Sequence, residues 1–195
     1  MRTLETERLT LRPLTVADVE FVFDLYSRFE VQRYIGAVPR VMDDRAEAIE
    51  RIERWGSIDD PVQGVWAIVV RETARPVGMV LLKPIPASGD VLPLQPSGDV
   101  EIGWHQHPDA WGNGFATEAA SAVLQSALAS GLERVVAVTN PANTASQRVA
   151  RRIGMHDLGL TDDFYNQTCR LFEALPEPVP LAPNRSTDGG TNHRR

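Results

Sequence analysis

Gly112 and Gly114 stand one residue apart in Trp111-Gly112-Asn113-Gly114-Phe115-Ala116-Thr117-Glu118, and the chain runs from them straight into a helix-forming stretch. Ala120, Val123, Leu124, Ala127 and Leu128 recur there at helical spacing and give it one apolar face. A strand-like segment, Val100-Glu101-Ile102-Gly103-Trp104-His105, precedes the turn, and a continuous apolar strand, Val135-Val136-Ala137-Val138-Thr139, follows the helix. A strand, a glycine turn, a helix and a buried strand in that order demand a sheet covered by helices. The same turn leaves backbone N–H groups free at the positive end of the helix dipole, a place suited to phosphate.

The rest of the chain extends this picture. Residues 9–12 alternate as a first strand, and Thr15 with Asp18 makes a capping-box-like helix start. Val19, Val22, Phe23 and Tyr26 form one helical face, and Ala46, Ile49 and Ile52 carry a second helix over residues 43–55. Residues 65–70 and 77–82 read as an antiparallel hairpin turned at Thr73-Ala74-Arg75-Pro76. Residues 84–98, rich in Pro, Gly and Ser, read as an excursion loop. A short helix over residues 143–153 closes at Gly154, and a late strand lies near residues 168–172. Antiparallel strands first and β-α-β-α units later predict a mixed-sheet α+β or α/β domain spanning residues 1–175. From Pro176 the composition turns to Pro, then Ser, Thr, Gly, Asn and Arg, so residues 176–195 are expected to be a disordered tail.

Composition excludes several functions. The net charge of −6 gives no general pull on nucleic acid and mildly favours cationic partners such as amines. No run is apolar and long enough to span a membrane, and the charged start lacks a secretory core. The single cysteine, Cys169, rules out an intrachain disulfide and supplies no metal cluster, which points to a cytoplasmic protein.

Three phosphate-loop readings compete. A P-loop needs a Lys after its last glycine, and none follows Gly114. A dinucleotide fingerprint needs a third small residue, where Thr117 stands, and an early βαβ position. The plain alternative is a glycine turn that only starts a helix. A second segment adds to the first: Asn143-Thr144-Ala145-Ser146 opens the helix after the next strand and leads to Gly154-Met155. Together with Glu7-Arg8-Leu9-Thr10-Leu11-Arg12-Pro13, these motifs resemble the Gcn5-related N-acetyltransferase (GNAT) superfamily over residues 6–173. The acyl-CoA loop of that family, Arg/Gln-x-x-Gly-x-Gly/Ala, is matched by Trp111-x-x-Gly114-x-Ala116, with Trp111 departing from the basic or amide first position. The Trp-Gly-x-Gly-x-Ala-Thr-Glu-Ala form is similar to the branch of the RimJ/RimL ribosomal-protein N-acetyltransferases.

The resemblance implies a central, mostly antiparallel sheet flanked by helices, with two parallel strands, residues 100–105 and 135–139, splayed apart. Acetyl-CoA would lie between them as acyl donor, with no metal. Its binding set would be Ile102 on the splayed strand, Trp111, Gly112, Asn113, Gly114, Phe115, Ala116 and Thr117 in the loop, and Asn143 and Ser146 on the following helix. The implied reaction is acetyl transfer to a primary amine, a protein N-terminus or a small molecule, by direct attack in a ternary complex. The alternative is an acyl-CoA-binding sensor without catalysis. Dimerisation is common in such enzymes, and no residue pattern here points to it.

A primary amine near neutral pH is mostly ammonium, so a base is needed. Glu101, just before the loop, is the candidate; an edge carboxylate in a salt bridge is the bland alternative. Ser146 is the candidate partner of the departing thiol, against a role in satisfying the helix start. No Tyr lies in Val149-Ala150-Arg151-Arg152, so an acid from that helix is excluded, leaving Tyr165 as an acid from the late loop or a packing residue. His105 and His107 lack a third ligand for a metal. Arg148, Arg151 and Arg152 either meet the CoA 3′-phosphate or form a solvated face. Trp55, Trp66 and Trp104 read as core or pocket wall, and Asp162-Asp163 as amine-attracting or a surface turn. Residues 29–55 and 157–167 are expected to shape the acceptor pocket.

Overall fold

The computed structural model describes residues 2–176. Eight strands form one sheet: β1 (Leu4–Glu5), β2 (Leu9–Pro13), β3 (Gly64–Val70), β4 (Arg75–Pro86), β5 (Pro96–Gln106), β6 (Val135–Thr139), β7 (His156–Thr161) and β8 (Cys169–Ala174). Their spatial order is β1-β2-β3-β4-β5-β6-β8-β7, and every pairing is antiparallel except β5 with β6. The helices are α1 (Val19–Ser27), α2 (Phe29–Gln32), α3 (Arg45–Gly56), α4 (Phe115–Ala129) and α5 (Thr144–Arg152). This is the mixed α+β architecture read from the element order.

Strand alternation assigns the two faces. Leu9, Leu11, Trp66, Ile68, Val80, Leu82, Ile102, Val135, Ala137 and Phe172 pack beneath α4. Val65, Ala67, Met79 and Leu81 turn the other way against α1 and α3, with Val22, Leu25, Tyr26, Ala48 and Ile52. β3 is covered on both faces, so Val65 to Val69 are all buried and the strand reads as one apolar run. Asp18 reaches back to the Thr15 N–H at 2.8 Å, as its spacing predicts, and also takes a two-pronged bond from Arg12.

Residues 84–98 are not one loop. β4 continues to Pro86 and β5 begins at Pro96, with a bulge between Pro84 and Pro86. Proline inside a strand hid this hairpin extension. The last β3–β4 pair is Gly64 with Leu82, so β3 has ended where Pro84 would otherwise need an N–H on that side. β1 and α2, of two and four residues, are too short to show a period, and β7 leaves Leu158 and Leu160 exposed around Gly159, so none of the three was expected. The tail expected from Pro176 lies outside the described residues beyond that position.

Candidate active site

β5 and β6 run parallel but pair at one register position, Glu101 with Val136. Beyond it they diverge and open a cleft of about 520 Å³. The His107 N–H bonds Val77 O of the β4 register at 2.9 Å. Alternation from that bond turns the backbone N–H groups of Ile102, Trp104 and Gln106 away from β4. Ile102 stands at the apex where the strands part, and Trp104 and Gln106 face the gap. At the strand ends, Gln106 Nε2 and Thr139 Oγ1 are buried without a hydrogen-bond partner among the described residues.

The glycine loop closes one end of the cleft. Gly112 and Gly114 have φ of 83° and 79°, the left-handed region open to glycine at little cost. Gly114 is the N-cap of α4, and the N–H groups of the first turn behind it have no carbonyl one turn back. Glu118, in that turn, ties the loop to the N-terminal segment. It accepts from Thr6 Oγ1 at 2.6 Å, from the Arg8 N–H at 2.9 Å and from Arg8 Nε at 2.7 Å, while Arg8 Nη1 donates to Asn113 O at 3.0 Å. Partial burial raises the Glu118 pKa, but these donors outweigh it and hold the carboxyl below the usual glutamate range. The Arg8 and Glu118 motifs, far apart in sequence, are thus one contact.

α5 forms the opposite wall. Asn143 is its N-cap, with Oδ1 accepting from the Ser146 N–H at 3.1 Å. Ser146, Asn143, Arg148 and Arg152 line the cleft. Arg151 turns away to Asp157 at 2.7 Å and stacks over Phe172. Of the loop residues, Trp111, Gly112, Gly114, Ala116 and Thr117 line the cleft with Ile102. Asn113 and Phe115 are instead engaged in holding the loop, Asn113 through Nδ2 to Ala110 O and Phe115 under the Arg8 guanidinium.

Glu101 lies at the apex, 9% exposed, on the cleft side. Its cross-strand partner is Lys83 on β4, whose Nζ is 3.5 Å from Oε2. Tyr165 donates its hydroxyl to the same Oε2 at 2.5 Å and accepts from Lys83 Nζ at 3.0 Å. Burial dominates and pushes the Glu101 pKa up, partly offset by Lys83 and by the Tyr165 hydroxyl. Burial and the adjoining carboxylate push the Tyr165 phenol far up, so it stays a donor. Gly103 follows on the same face; a side chain there would meet Leu81 Cδ1 at 3.2 Å. His105 comes next, its Nδ1 2.6 Å from the Tyr26 hydroxyl. Burial, then the Arg51 and Lys83 charges, lower His105 to about 4, and burial raises Tyr26 to about 12. Tyr26 therefore donates, and the neutral imidazole carries its proton on Nε2.

Glu30, Val31, Arg33, Tyr34 and Ile35, in and just after α2, line the same cleft. His107 pairs with Asp24, apart from His105, and no metal-holding group of three or more His, Cys, Asp or Glu occurs among the described residues. Asp162 and Asp163 sit over a separate hollow with Asp99 and Arg134. Of the tryptophans, Trp104 lines the cleft, Trp66 is core and Trp55 packs on Tyr26. Sequence reasoning missed Lys83, Gln106 and Thr139. Lys83 becomes visible only once the β4–β5 register is known, and the other two only once the strands are seen to part.

A family model described as an acetyltransferase (GNAT) domain matches residues 8–156. The uncharacterized N-acetyltransferase YoaA of Bacillus subtilis (strain 168) is 32% identical over 166 residues, covering 84% of this chain and 88% of that protein. The uncharacterized N-acetyltransferase p20 of Bacillus licheniformis is 29% identical over 175 residues, 89% of this chain and 93% of that one. In fold, the chain is similar to the RimL ribosomal L7/L12 alpha-N-protein acetyltransferase solved in complex with coenzyme A. The TM-score is 0.71 and the identity 15%, with 90% of this chain and 98% of that chain covered.

Proposed function

The chain belongs to the GNAT acetyltransferase family, and from that premise we propose that it moves an acetyl group from acetyl-CoA to a primary amine by direct attack in a ternary complex. The observation that carries the reading is the placement of Glu101, a buried carboxylate at the apex between two diverging strands.

The residues around the cleft fit acetyl-CoA. The backbone N–H groups of Trp104 and Gln106, turned away from β4 toward the gap, suit the amides of a pantetheine arm. The amides from Gly112 to Thr117 suit a pyrophosphate, and Arg148 and Arg152 suit the outer phosphate. Acetyl-CoA supplies an acetyl thioester, a reactive acyl group with a good leaving thiolate. Glu101 takes the proton that the amine must lose, directly or through water. A backbone N–H on the free edge of β5 donates to the acyl oxygen as it gains charge. Ser146 is the hydrogen-bond partner for the departing sulfur. Peptide N-termini and small amines are both candidate acceptors.

The test is release of CoA on incubation with acetyl-CoA and panels of peptide N-termini, polyamines and aminoglycosides. Glu101→Gln is expected to lower turnover by about 100-fold or more and to leave acetyl-CoA affinity nearly unchanged. Wild-type turnover in that variant at every pH removes Glu101 from the mechanism.

A further inference from the structure

Tyr165 and Asn166 both have positive φ, 60° and 53°, in succession. Asparagine enters this region readily, but a tyrosine rarely does, so the surroundings must hold Tyr165 there. They do so through the segment between β4 and β5. Ser88 donates its N–H to Asp163 O at 2.7 Å and its hydroxyl to Asp162 O at 2.6 Å, and accepts from the Asn166 N–H at 3.0 Å. Asn166 and Gly89 exchange a pair of bonds: the Gly89 N–H to Oδ1 at 2.8 Å, and Nδ2 to Gly89 O at 3.0 Å. Phe164, next to Tyr165, is buried with Ile85, Val136 and Leu171. The result delivers one hydroxyl to one carboxylate oxygen, with Lys83 donating to Tyr165 and Tyr165 to Glu101 Oε2. Glu101 Oε1 makes no hydrogen bond among the described residues.

We propose that Lys83 and Tyr165 are positioning residues that fasten Oε2 of Glu101 and leave Oε1 to receive the proton of the acceptor amine, and that the Ser88–Gly89 clamp on Asn166 is what seats Tyr165. The proposal rests on the reading of Glu101 as the base. Both partners favour the ionised carboxylate, Lys83 by its charge and Tyr165 by donation. The other titratable groups near this face are Cys169 on β8 and His105 on β5. Burial, Glu101 and Asp162 raise the thiol, and burial, Arg51 and Lys83 hold the imidazole at about 4, so both are neutral near pH 7. Within this cluster the group left to titrate is therefore Glu101, and because the acceptor amine also loses its proton as pH rises, every variant is compared with the same amine so that its contribution is common to all profiles.

The experiment is the pH dependence of kcat/KM for Lys83→Met, Lys83→Arg, Tyr165→Phe and Asn166→Ala, beside wild type and Glu101→Gln. Calorimetric acetyl-CoA affinity serves as the control for a folded donor site. Losing either partner raises the Glu101 pKa, so the acidic limb is expected to move up by about one pH unit in Lys83→Met and Tyr165→Phe. Asn166→Ala is expected to move it the same way with the Tyr165 ring still present. Lys83→Arg should stay near wild type, and acetyl-CoA affinity should hold throughout. Tyr165→Phe keeps the ring packing, so it carries the test alone if Lys83→Met does not fold. If Glu101→Gln abolishes turnover while the limb stays put or moves down in Tyr165→Phe, the positioning proposal is overturned and the base reading stands. If Glu101→Gln retains wild-type turnover, both fall.

Discussion

The contact of Glu118 with Thr6 and Arg8 allows a worked test of how the glycine loop is held. Glu118→Ala removes two hydrogen bonds to a charged group, from Thr6 Oγ1 and from the Arg8 N–H. Each is worth about 1.5 kcal/mol at the low end for a partly exposed site. The ion pair with Arg8, whose side chain is 47% exposed, adds less than about 1 kcal/mol. The expected loss is about 3 kcal/mol. In a domain of this size about 1 kcal/mol shifts Tm by about 2–4 °C, so a fall of about 6–12 °C is expected by calorimetry at pH 7. The folded-state pKa of Glu118 is lowered from 4.5, so the stabilisation is complete above that value and is lost as pH falls through the lower folded value. The gap between wild type and variant must therefore narrow in acid. A Tm change under about 2 °C at pH 7, or a gap that widens in acid, would refute the idea that this carboxylate anchors the loop.

Two further outcomes follow from the same geometry. In Gly114→Val the new Cβ would lie 3.5 Å from Arg8 Nη2, an ordinary contact, so the cost is backbone strain at φ 79°. That strain is about 1–2 kcal/mol; a free loop that relaxes out of the left-handed conformation must regain it on binding, which weakens acetyl-CoA by roughly tenfold in titration calorimetry, and unchanged affinity would detach the loop from the donor site. His105 titrates at about 4 in the fold against 6.5 for a free imidazole, so below pH 6.5 the unfolded chain takes up a proton that the folded ring refuses. Wild type should lose of order 2 kcal/mol between pH 8 and pH 5 through this group; His105→Gln should lose correspondingly less in urea titrations, and parallel curves would contradict the assignment.

Much of the chemistry was legible locally. The glycine turn before α4, the apolar stripe behind it and the continuous β6 run are patterns of neighbouring residues, and they appear where the spacing placed them. Glu101 and Ser146, chosen from motif position, both line one cleft although they stand 45 positions apart. The hairpin extension over residues 84–98 was not legible, because prolines and glycines speak for a loop unless the neighbouring strand is known to have ended. Tyr165 read as packing residue or acid because no local signal shows what a loop side chain reaches.

The sequence by itself determined the longer helices, the central strands and the type of the glycine loop, since turns, caps and helix faces are set by interactions within a few residues. It also carried the family, through three short motifs whose order survives in the linear chain. Only the tertiary structure decided that β5 and β6 meet at a single pair and then part, that Lys83 stands opposite Glu101, and that Tyr165 arrives from 64 positions downstream to hold it. Those relations depend on strand register and loop closure, which join residues far apart in the chain and leave no period to read. The glycine turn could therefore be recognised from its neighbours, whereas the environment that raises the pKa of Glu101 exists only when three separate segments are packed around it.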